Sequence, residues 1–182
     1  MFAAAALPWA VKGAGALGGM PPVEESAGTF SGNALLKARA LQKLAPPGSW
    51  VLADDSGLEV QALGGAPGVH SARYAGTGAK DGANTEKLLR ALEIIPDAAR
   101  TARFVCVLAL LGPGGAEKIF EGECRGRIGR TPAGAGGFGY DPVFFPDGFD
   151  KTFAELGDDV KNKISHRATA LRKLFNHLQA QK

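Results

Sequence analysis

The sequence predicts an α/β domain in which a mixed sheet is flanked by helices. Apolar residues recur at helical spacing over residues 29–44 and again over residues 166–179. Between these helices, the β-rich runs 103–111 and 118–130 are separated by Gly112-Pro113-Gly114-Gly115, as expected of an antiparallel hairpin. Helices and strands therefore intermix along the chain, and this order is typical of the α/β class.

We expect residues 1–182 to form a single domain, because 182 residues are enough for one hydrophobic core. The formal net charge of +3 does not predict a surface for nucleic-acid polymers. No apolar run approaches the roughly 18 residues of a membrane span, and residues 1–11 lack the positive start of a signal peptide. Cys106 and Cys124 are two thiols in a chain that needs no disulfide, which favours a cytoplasmic location.

The first half of the chain is predicted to contain two strands and two helices. Residues 9–12 form a possible short strand, followed by a glycine-rich loop that runs through Gly19. Thr29 begins the first helix, which two consecutive prolines end. Residues 50–53 are predicted as a strand, and residues 85–92 as a helix.

In the second half of the chain, the predicted hairpin is followed by a short strand and a terminal helix. The strand covers residues 143–145, after a second glycine-rich loop. The helix covers residues 166–179 and carries its apolar residues on one side, with Ser165 as the N-cap.

Two adjacent carboxylates, Asp54 and Asp55, follow an apolar run and precede Ser56-Gly57. We expect the run to be a buried strand that delivers both acids to its carboxyl end. Neighbouring carboxylates repel each other, so they require a divalent cation, a basic partner or a shared proton. The alternative is an Asx-type turn, in which Asp, Ser and Gly are all common. These residues alone do not decide between the two.

Two further sets of charged residues have plain structural explanations. Glu24 and Glu25 precede a helix, where the helix dipole favours acids. Lys37 and Arg39 lie on the helix predicted over residues 29–44, and helical lysines usually belong to a solvated face. Lys37 is close enough in sequence to the apolar stripe to flank it. Neither set predicts a site by itself.

The glycine-rich segment 134–142 is better explained as a ligand loop than as a hairpin turn. Its glycines permit close approach of the backbone to a ligand. Phe138 and Tyr140 offer flat faces on which a base can stack, and Asp141 can accept hydrogen bonds from ring nitrogens. The segment is not a P-loop, because no Gly-Lys-Ser/Thr follows it.

Several cations precede or begin the last predicted helix. Lys161, Lys163 and Arg167 would lie near its amino end, where they oppose the helix dipole. An anionic ligand would remove this small cost. Together, acids that can hold Mg²⁺, cations that can bind phosphates and an aromatic loop that can hold a base are what nucleoside triphosphate chemistry requires.

Six motifs, in this order, resemble those of the inosine/xanthosine triphosphate pyrophosphatases. The resemblance extends from about Pro22 to the C-terminus. A chance match of all six in order is not credible. The motifs are residues 29–38 (TFSGNALLKA), 53–58 (ADDSGL), 64–76 (GGAPGVHSARYAG), 137–142 (GFGYDP), 152–156 (TFAEL) and 165–167 (SHR).

The resemblance implies an elongated mixed α/β fold, with a central sheet and two lobes around a nucleotide cleft, in a chain that is usually a homodimer. It implies Mg²⁺-dependent hydrolysis of ITP, dITP and XTP to nucleoside monophosphate and pyrophosphate. A 6-keto purine would be preferred over the 6-amino purine adenine, through hydrogen bonds that read the O6 acceptor.

The resemblance also implies roles for individual residues. Asp55 would be the catalytic proton acceptor and a metal ligand, and Asp54 with Glu24 or Glu25 would complete the metal environment. Lys37 would meet the triphosphate, and Ser56 would contact the substrate. The base and sugar side would be bound by Phe138, Gly139, Tyr140, Asp141, Lys161, His166 and Arg167. His70 stands where the family often has a tyrosine.

One departure from the family concerns the start of the chain. The family begins with a strand and a Thr/Ser-Gly-Asn-x-x-Lys phosphate loop, whereas residues 1–7 are similar to the helix that follows this loop. We therefore expect Met1 to lie inside the family domain, and a version extended upstream to be more active and more stable. The alternatives are a non-catalytic nucleotide-binding fragment and a broader pyrophosphatase resembling the Maf-like proteins.

Overall fold

The computed structural model describes residues 10–180. Residues 10–12 are irregular, and the rest of the strand predicted at 9–12, like the helical segment 1–7, lies outside the described residues. Short 3₁₀ turns connect the main elements. These elements are α1 (Phe30–Gln42), β1 (Val51–Val60), α2 (Asp81–Ala91), β2 (Thr101–Leu111), β3 (Glu117–Ile128), β4 (Phe144–Pro146), α3 (Phe153–Ile164) and α4 (His166–Gln179).

The four strands form one sheet in the order β1-β2-β3-β4. β1 pairs with β2 along its whole length, from Val51 opposite Leu111 to Val60 opposite Ala102. Three long strands make the sheet elongated, because a strand of this length extends over about 35 Å. The α/β class with flanking helices is therefore confirmed. All three pairings in residues 10–180 are antiparallel, so the expected mixture of strand directions is not found there.

Strand β1 corrects the prediction for the acidic motif. The strand continues to Val60, so Asp54 and Asp55 lie in its middle and not at its carboxyl end. Gly57 is not a turn residue, because it pairs with Val105 inside the ladder. A Cβ atom at Gly57 would lie 2.5 Å from the Gly68 carbonyl oxygen. The glycine thus allows a distant segment to approach the strand closely, which local sequence does not reveal.

At one end of the sheet, helices cover both faces. Residues of α1 pack on Val105 and Val107, which point to one face of β2. Residues of α4 pack on Cys106 and Leu108, which point to the other face. Gly122 of β3 lets α4 lie directly on the sheet, since a Cβ there would collide with the α4 backbone.

The opposite end of the sheet carries a separate core, to which α2, α3 and β4 contribute. This division of the helices between the two ends agrees with the expected two-lobed fold. Large side chains in this core include Leu58, Leu88, Leu92, Phe104, Tyr140, Phe144 and Phe153.

Helix α3 was not predicted, although its start has a recognisable signal. Thr152 and Glu155 form a capping box, in which each side chain accepts a hydrogen bond from the other residue's backbone N–H. The helix kinks at Gly157, where φ is +74°. Because α3 extends to Ile164, Lys161 and Lys163 lie in its last turn, where the helix dipole favours cations. Of the three cations predicted near the start of the last helix, only Arg167 lies in the first turn of α4.

Candidate active site

The two adjacent carboxylates on β1 are directed to opposite faces of the sheet, because side chains alternate along a strand. Asp55 faces α1, and its Oδ1 atom lies 2.7 Å from the Nζ atom of Lys37. Asp54 faces α4, and its Oδ2 atom lies 2.8 Å from Nη2 of Arg167. Each acid thus has its own cation, and this arrangement relieves their repulsion.

On the α1 face, Asp55 belongs to a chain of alternating charges. Lys37 also forms an ion pair with Oε1 of Glu25, at 2.9 Å. The other oxygen of Glu25 lies 3.1 Å from Nη1 of Arg73. Burial opposes ionisation of Glu25, but Lys37 and Arg73 outweigh it and hold its pKa below the usual range. Glu24 is exposed, so Glu25 is the member of the predicted pair that joins the site.

Asp55 is only 6% exposed. Burial raises its pKa above the usual range, although the charge of Lys37 acts in the opposite direction. Its Oδ2 atom is buried and makes no hydrogen bond of ordinary geometry within residues 10–180. The same is true of Nδ2 of Asn33, whose side chain lies close enough to the Asp55 carboxyl to lower its pKa slightly. A buried carboxylate with a raised pKa and an oxygen available for a ligand has the properties of a general base.

On the α4 face, Asp54, Ser56 and Arg167 form a second hydrogen-bonded group. The Ser56 hydroxyl donates to Oδ2 of Asp54 at 3.1 Å, and the Arg167 guanidinium contacts Ser56 Oγ at 3.3 Å. Partial burial raises the pKa of Asp54, but Arg167 and Ser56 outweigh this effect, and the pKa lies below its usual value. Asp54 therefore remains ionised and fixes Arg167. Its lowered pKa makes Asp54 less suited than Asp55 to accepting a proton.

The predicted ligand loop is built around the buried carboxylate of Asp141. One of its oxygens accepts the backbone N–H of Phe138 at 2.8 Å, and the same oxygen is paired with the Lys161 ammonium. The Lys161 Nζ atom also lies 4.2 Å from the centre of the Phe138 ring. A Cβ atom at Gly137 would collide with Asp141. The loop and Lys161 therefore form one structural unit.

The two aromatic residues of this loop have different environments. Phe138 is 63% exposed, so its ring is available to a ligand. Tyr140 is buried, and its hydroxyl donates to the Ser71 carbonyl at 2.9 Å. Burial raises the pKa of Tyr140, which stays protonated and able to donate. The stacking face expected of Tyr140 is thus not accessible in this structure, and the residue anchors the loop instead.

His166 lies beneath the site and not on its surface. It is 5% exposed, and its ring is stacked on Phe104 with the centroids 4.8 Å apart. Burial lowers its pKa to about 3, so the imidazole is neutral. Its Nδ1 atom is buried without a partner in the described part of the chain. The neighbouring Arg167 is paired with Asp54, so His166 and Arg167 of the SHR motif differ in their surroundings.

The site includes residues that the sequence interpretation did not assign. Arg73 lies within the third motif, but its ion pair with Glu25 depends on a contact between residues 48 positions apart. Asn33 lies inside the first motif and accepts the Ala27 N–H at 3.1 Å. In both cases the motif was visible, whereas the role depends on the tertiary structure.

The arrangement of acids bears on the predicted magnesium site. Within residues 10–180, no three His, Cys, Asp or Glu side chains are grouped in a way that could hold a metal ion. Glu25 and Asp55 approach each other only through Lys37, which contacts both. The metal site and its ligands stay a prediction.

Two expectations about the whole chain concern membranes and cysteines. None of the helices in residues 10–180 combines the length and the apolar character required to cross a bilayer. Cys106 and Cys124 are both free and buried. They belong to separate hydrophobic clusters, so they serve as core residues.

Comparison of the sequence with known proteins identifies its relatives. Residues 2–177 match the model of the Ham1 family. A dITP/XTP pyrophosphatase of Opitutus terrae is 59% identical over 164 residues, which are 90% of this chain and 81% of that protein. The dITP/XTP pyrophosphatase of Bacillus subtilis is 50% identical over 170 residues, or 93% of this chain and 85% of that protein.

Solved structures give the same result. The Ham1 protein of Staphylococcus aureus superposes with a TM-score of 0.83 and is 46% identical, with 89% of this chain and 82% of that chain covered. A HAM1 protein from Coxiella burnetii gives a TM-score of 0.84 at 43% identity, with 92% and 84% covered.

Proposed function

Because this chain belongs to the Ham1 family, we propose that it hydrolyses dITP, XTP and ITP to the nucleoside monophosphate and pyrophosphate. Relatives named dITP/XTP pyrophosphatase, at 45–59% identity, support this activity. They do not favour the alternative of a non-catalytic nucleotide-binding fragment. The structural observation that carries the proposal is the buried Asp55 carboxylate, with one oxygen held by Lys37 and the other without a partner in residues 10–180.

In this proposal, Asp55 is the general base. A water molecule attacks the triphosphate, its proton passes to the Asp55 carboxylate, and the linkage between the α- and β-phosphates breaks to release pyrophosphate. The burial that raises the pKa of Asp55 makes the carboxylate a better proton acceptor at neutral pH. The nearby Lys37 cation favours the ionised form of Asp55, which is the form that can accept a proton.

Lys37 and Arg167 are the cations that we assign to the phosphates. Each is held by carboxylates on its own face of β1. A triphosphate offers several anionic oxygens that can replace these carboxylates as partners, and arginine binds such oxygens in a bidentate manner. Binding of the substrate would then free Asp55 from part of its ion pair at the moment when it must accept a proton.

Phe138, Lys161 and Asp141 are the residues that we assign to the base. The exposed Phe138 ring can stack on a purine, a contact worth about 1–3 kcal/mol in nucleic-acid systems. The Lys161 ammonium can donate to O6 of a 6-keto purine, whereas the 6-amino group of adenine is itself a donor there. This difference supports a preference for dITP and XTP over dATP.

We propose Mg²⁺ as the cofactor, with Asp55 and Glu25 as the protein ligands. Carboxylate oxygens are the donors that this ion prefers, and Asp55 Oδ2 is buried without a partner within the described residues. The Lys37 ammonium between these acids marks a place where positive charge is stabilised. When bound, Mg²⁺ would neutralise phosphate charge and polarise the phosphoryl group. Asp54 is a weaker candidate, because it faces the other side and pairs with Arg167.

We also propose that the protein acts in the cytoplasm as a homodimer. The two free cysteines support the location, because they are compatible with a reducing compartment. The dimer is an expectation from the family. Light scattering of the purified protein measures its mass in solution. A monomer at micromolar concentration would contradict the dimer without affecting the proposed activity.

The activity is tested with purified protein and four nucleotides: dITP, XTP, ITP and dATP. We expect pyrophosphate as the first product from the first three, slow turnover of dATP, and loss of activity when EDTA removes Mg²⁺. Orthophosphate as the first product, or dATP as the best substrate, would refute the proposed function. Full activity in EDTA would refute the cofactor alone.

A further inference from the structure

Helix α2 holds the ligand loop, residues 134–142, through the backbone of Gly139. The Asp81 carboxylate accepts the Gly139 N–H at 2.6 Å. One turn further along α2, the Thr85 hydroxyl donates to the Gly139 carbonyl oxygen at 3.3 Å. Residues four apart lie on the same helical face, so a single face of α2 makes both contacts. We call this pair of hydrogen bonds the Gly139 clamp.

We propose that Asp81 and Thr85 are positioning residues for base recognition: the Gly139 clamp fixes the loop so that Phe138 and Asp141 meet the purine in one geometry. This inference rests on the proposed function, because it concerns how that substrate is selected. Neither residue contacts the nucleotide in this scheme.

The two clamp contacts hold two different peptide groups. The Gly139 N–H belongs to the peptide that follows Phe138, and the Gly139 carbonyl belongs to the peptide that precedes Tyr140. Fixing both groups fixes both backbone torsions of Gly139, where φ is +61°. Glycine has no side chain to restrict these torsions, so an outside contact is required to do so.

The clamp complements the contacts made inside the loop. Phe138 is held by its N–H bond to Asp141, and Tyr140 by its hydroxyl bond to the Ser71 carbonyl. Gly139 lies between these two anchored residues and is the point at which the loop reaches α2. A change in its torsions would turn the Phe138 ring relative to Asp141.

The clamp spans an otherwise open gap. A cavity of about 460 Å³ lies between α2 and the loop, and its lining includes Leu89, Pro132, Phe138 and Pro142. Without the clamp, the loop therefore has open space beside α2 into which it can shift. In a close-packed protein interior, neighbouring side chains would hold the loop by packing alone. Beside this cavity, the clamp has to do so.

Helix α2 is a firm support for these contacts. Leu88 and Leu92 are fully buried. The Asn84 side chain bonds the Ala75 N–H at 2.7 Å and the Ala72 carbonyl at 3.1 Å. These bonds tie α2 to the segment that carries Arg73, the partner of Glu25. The same helix is thus connected both to the ion pairs around Glu25 and to the ligand loop.

The test uses variants that remove each clamp contact. Thr85→Val is close to isosteric and removes the donor, while Thr85→Ser keeps it. Asp81→Ala removes the acceptor, while Asp81→Asn keeps an acceptor oxygen. Glu86→Gln is the matched control, because Glu86 is exposed on the same helix and pairs with Arg90.

The first measurement is amide hydrogen exchange of residues 134–142 in the protein without nucleotide. We expect faster exchange in Thr85→Val and Asp81→Ala, and rates close to wild type in the two conservative variants and the control. Exchange unchanged in Thr85→Val would overturn the inference. If the Asp81 and Thr85 variants give different results, the Thr85 variants decide, because Asp81 also stabilises the first turn of α2.

The second measurement is kcat/KM for dITP relative to dATP. Loss of one clamp contact is expected to lower this ratio by about tenfold, which is the size of effect that one hydrogen bond can have. The change should arise mainly from a higher KM for dITP. Thr85→Ser should restore it. An equal loss for both nucleotides would mean a general structural role and would overturn the inference. If wild-type protein releases no pyrophosphate from dITP, the proposed function fails, while hydrogen exchange still decides whether the clamp holds the loop.

Discussion

The ammonium group of Lys37 lies 2.7 Å from Oδ1 of Asp55 and 2.9 Å from Oε1 of Glu25, and so joins two carboxylates that are 30 positions apart in the sequence. This relationship explains how a strand can carry a buried acid in its middle. Burial disfavours both ionised acids; Lys37 and Arg73 outweigh this effect at Glu25, whereas Lys37 offsets it only in part at Asp55. The same relationship places Lys37, the cation that we assign to the phosphates, beside the proposed base.

Asp55→Asn should remove nearly all activity on dITP while leaving nucleotide affinity within a few-fold. The amide cannot accept the proton of the attacking water, and loss of a general base commonly costs about 10²–10⁴ in rate. Steady-state kinetics and calorimetric titration measure the two effects. Asp97→Asn is the matched control, because Asp97 is 75% exposed and pairs with Arg130 away from the site. An Asp55→Asn protein with most of its rate would show that another group is the base.

Lys37→Met should destabilise the protein by about 1–3 kcal/mol and reduce turnover. The substitution removes the cation paired with Asp55, while Glu25 keeps its ion pair with Arg73. An unpaired acid with limited solvent access is costly. Urea denaturation measures the free energy of unfolding. Lys43→Met tests an exposed lysine at the end of the same helix and should change little. Equal stability of the two variants would contradict the role assigned to the Lys37 ion pairs.

Stability should fall as the pH decreases below about 6.5, partly because of His166. The unfolded chain binds a proton on this residue near pH 6.5, whereas burial lowers the folded pKa to about 3. In the window between these values the unfolded state binds more protons, so the free energy of unfolding decreases by at most about 1.4 kcal/mol per pH unit.

His166→Gln isolates this contribution, because glutamine does not titrate. Its free energy of unfolding should depend less on pH between about 6.5 and 5, where carboxyl groups with lowered pKa values are still ionised. Urea denaturation at several pH values gives the slopes. Identical slopes for wild type and variant would show that His166 takes up its proton equally well in both states.

Gly57→Ala should destabilise the protein by about 1–3 kcal/mol, the usual cost of overpacking. The new Cβ would lie 2.5 Å from the Gly68 carbonyl oxygen and 2.6 Å from Ser71 Oγ. Gly82→Ala is the control: the site is helical with open space around it, so alanine should be neutral or stabilising by up to about 1 kcal/mol. Thermal unfolding compares the two, and a stable Gly57→Ala protein would refute the close approach of the 68–71 segment.

The sequence by itself determined the class of the fold and the position of several elements. The apolar period predicted α4 at residues 166–179, where the structure has it, because that helix buries one continuous face. The β-rich runs predicted the β2–β3 pair to within a few residues. The motifs identified the family, and they included Arg73 and Asn33 without revealing their roles.

Only the tertiary structure decided how the charged residues are paired. Asp54 and Asp55 are neighbours, yet their cations come from Arg167, 113 positions away, and from Lys37, 18 positions away. Local patterns report the period of a segment but not which distant side chain will face it. The same reason explains why Glu25 and not Glu24 joins the site, and why Tyr140 is buried. The course of β1 through Gly57 likewise depends on a segment that approaches it only in the folded chain.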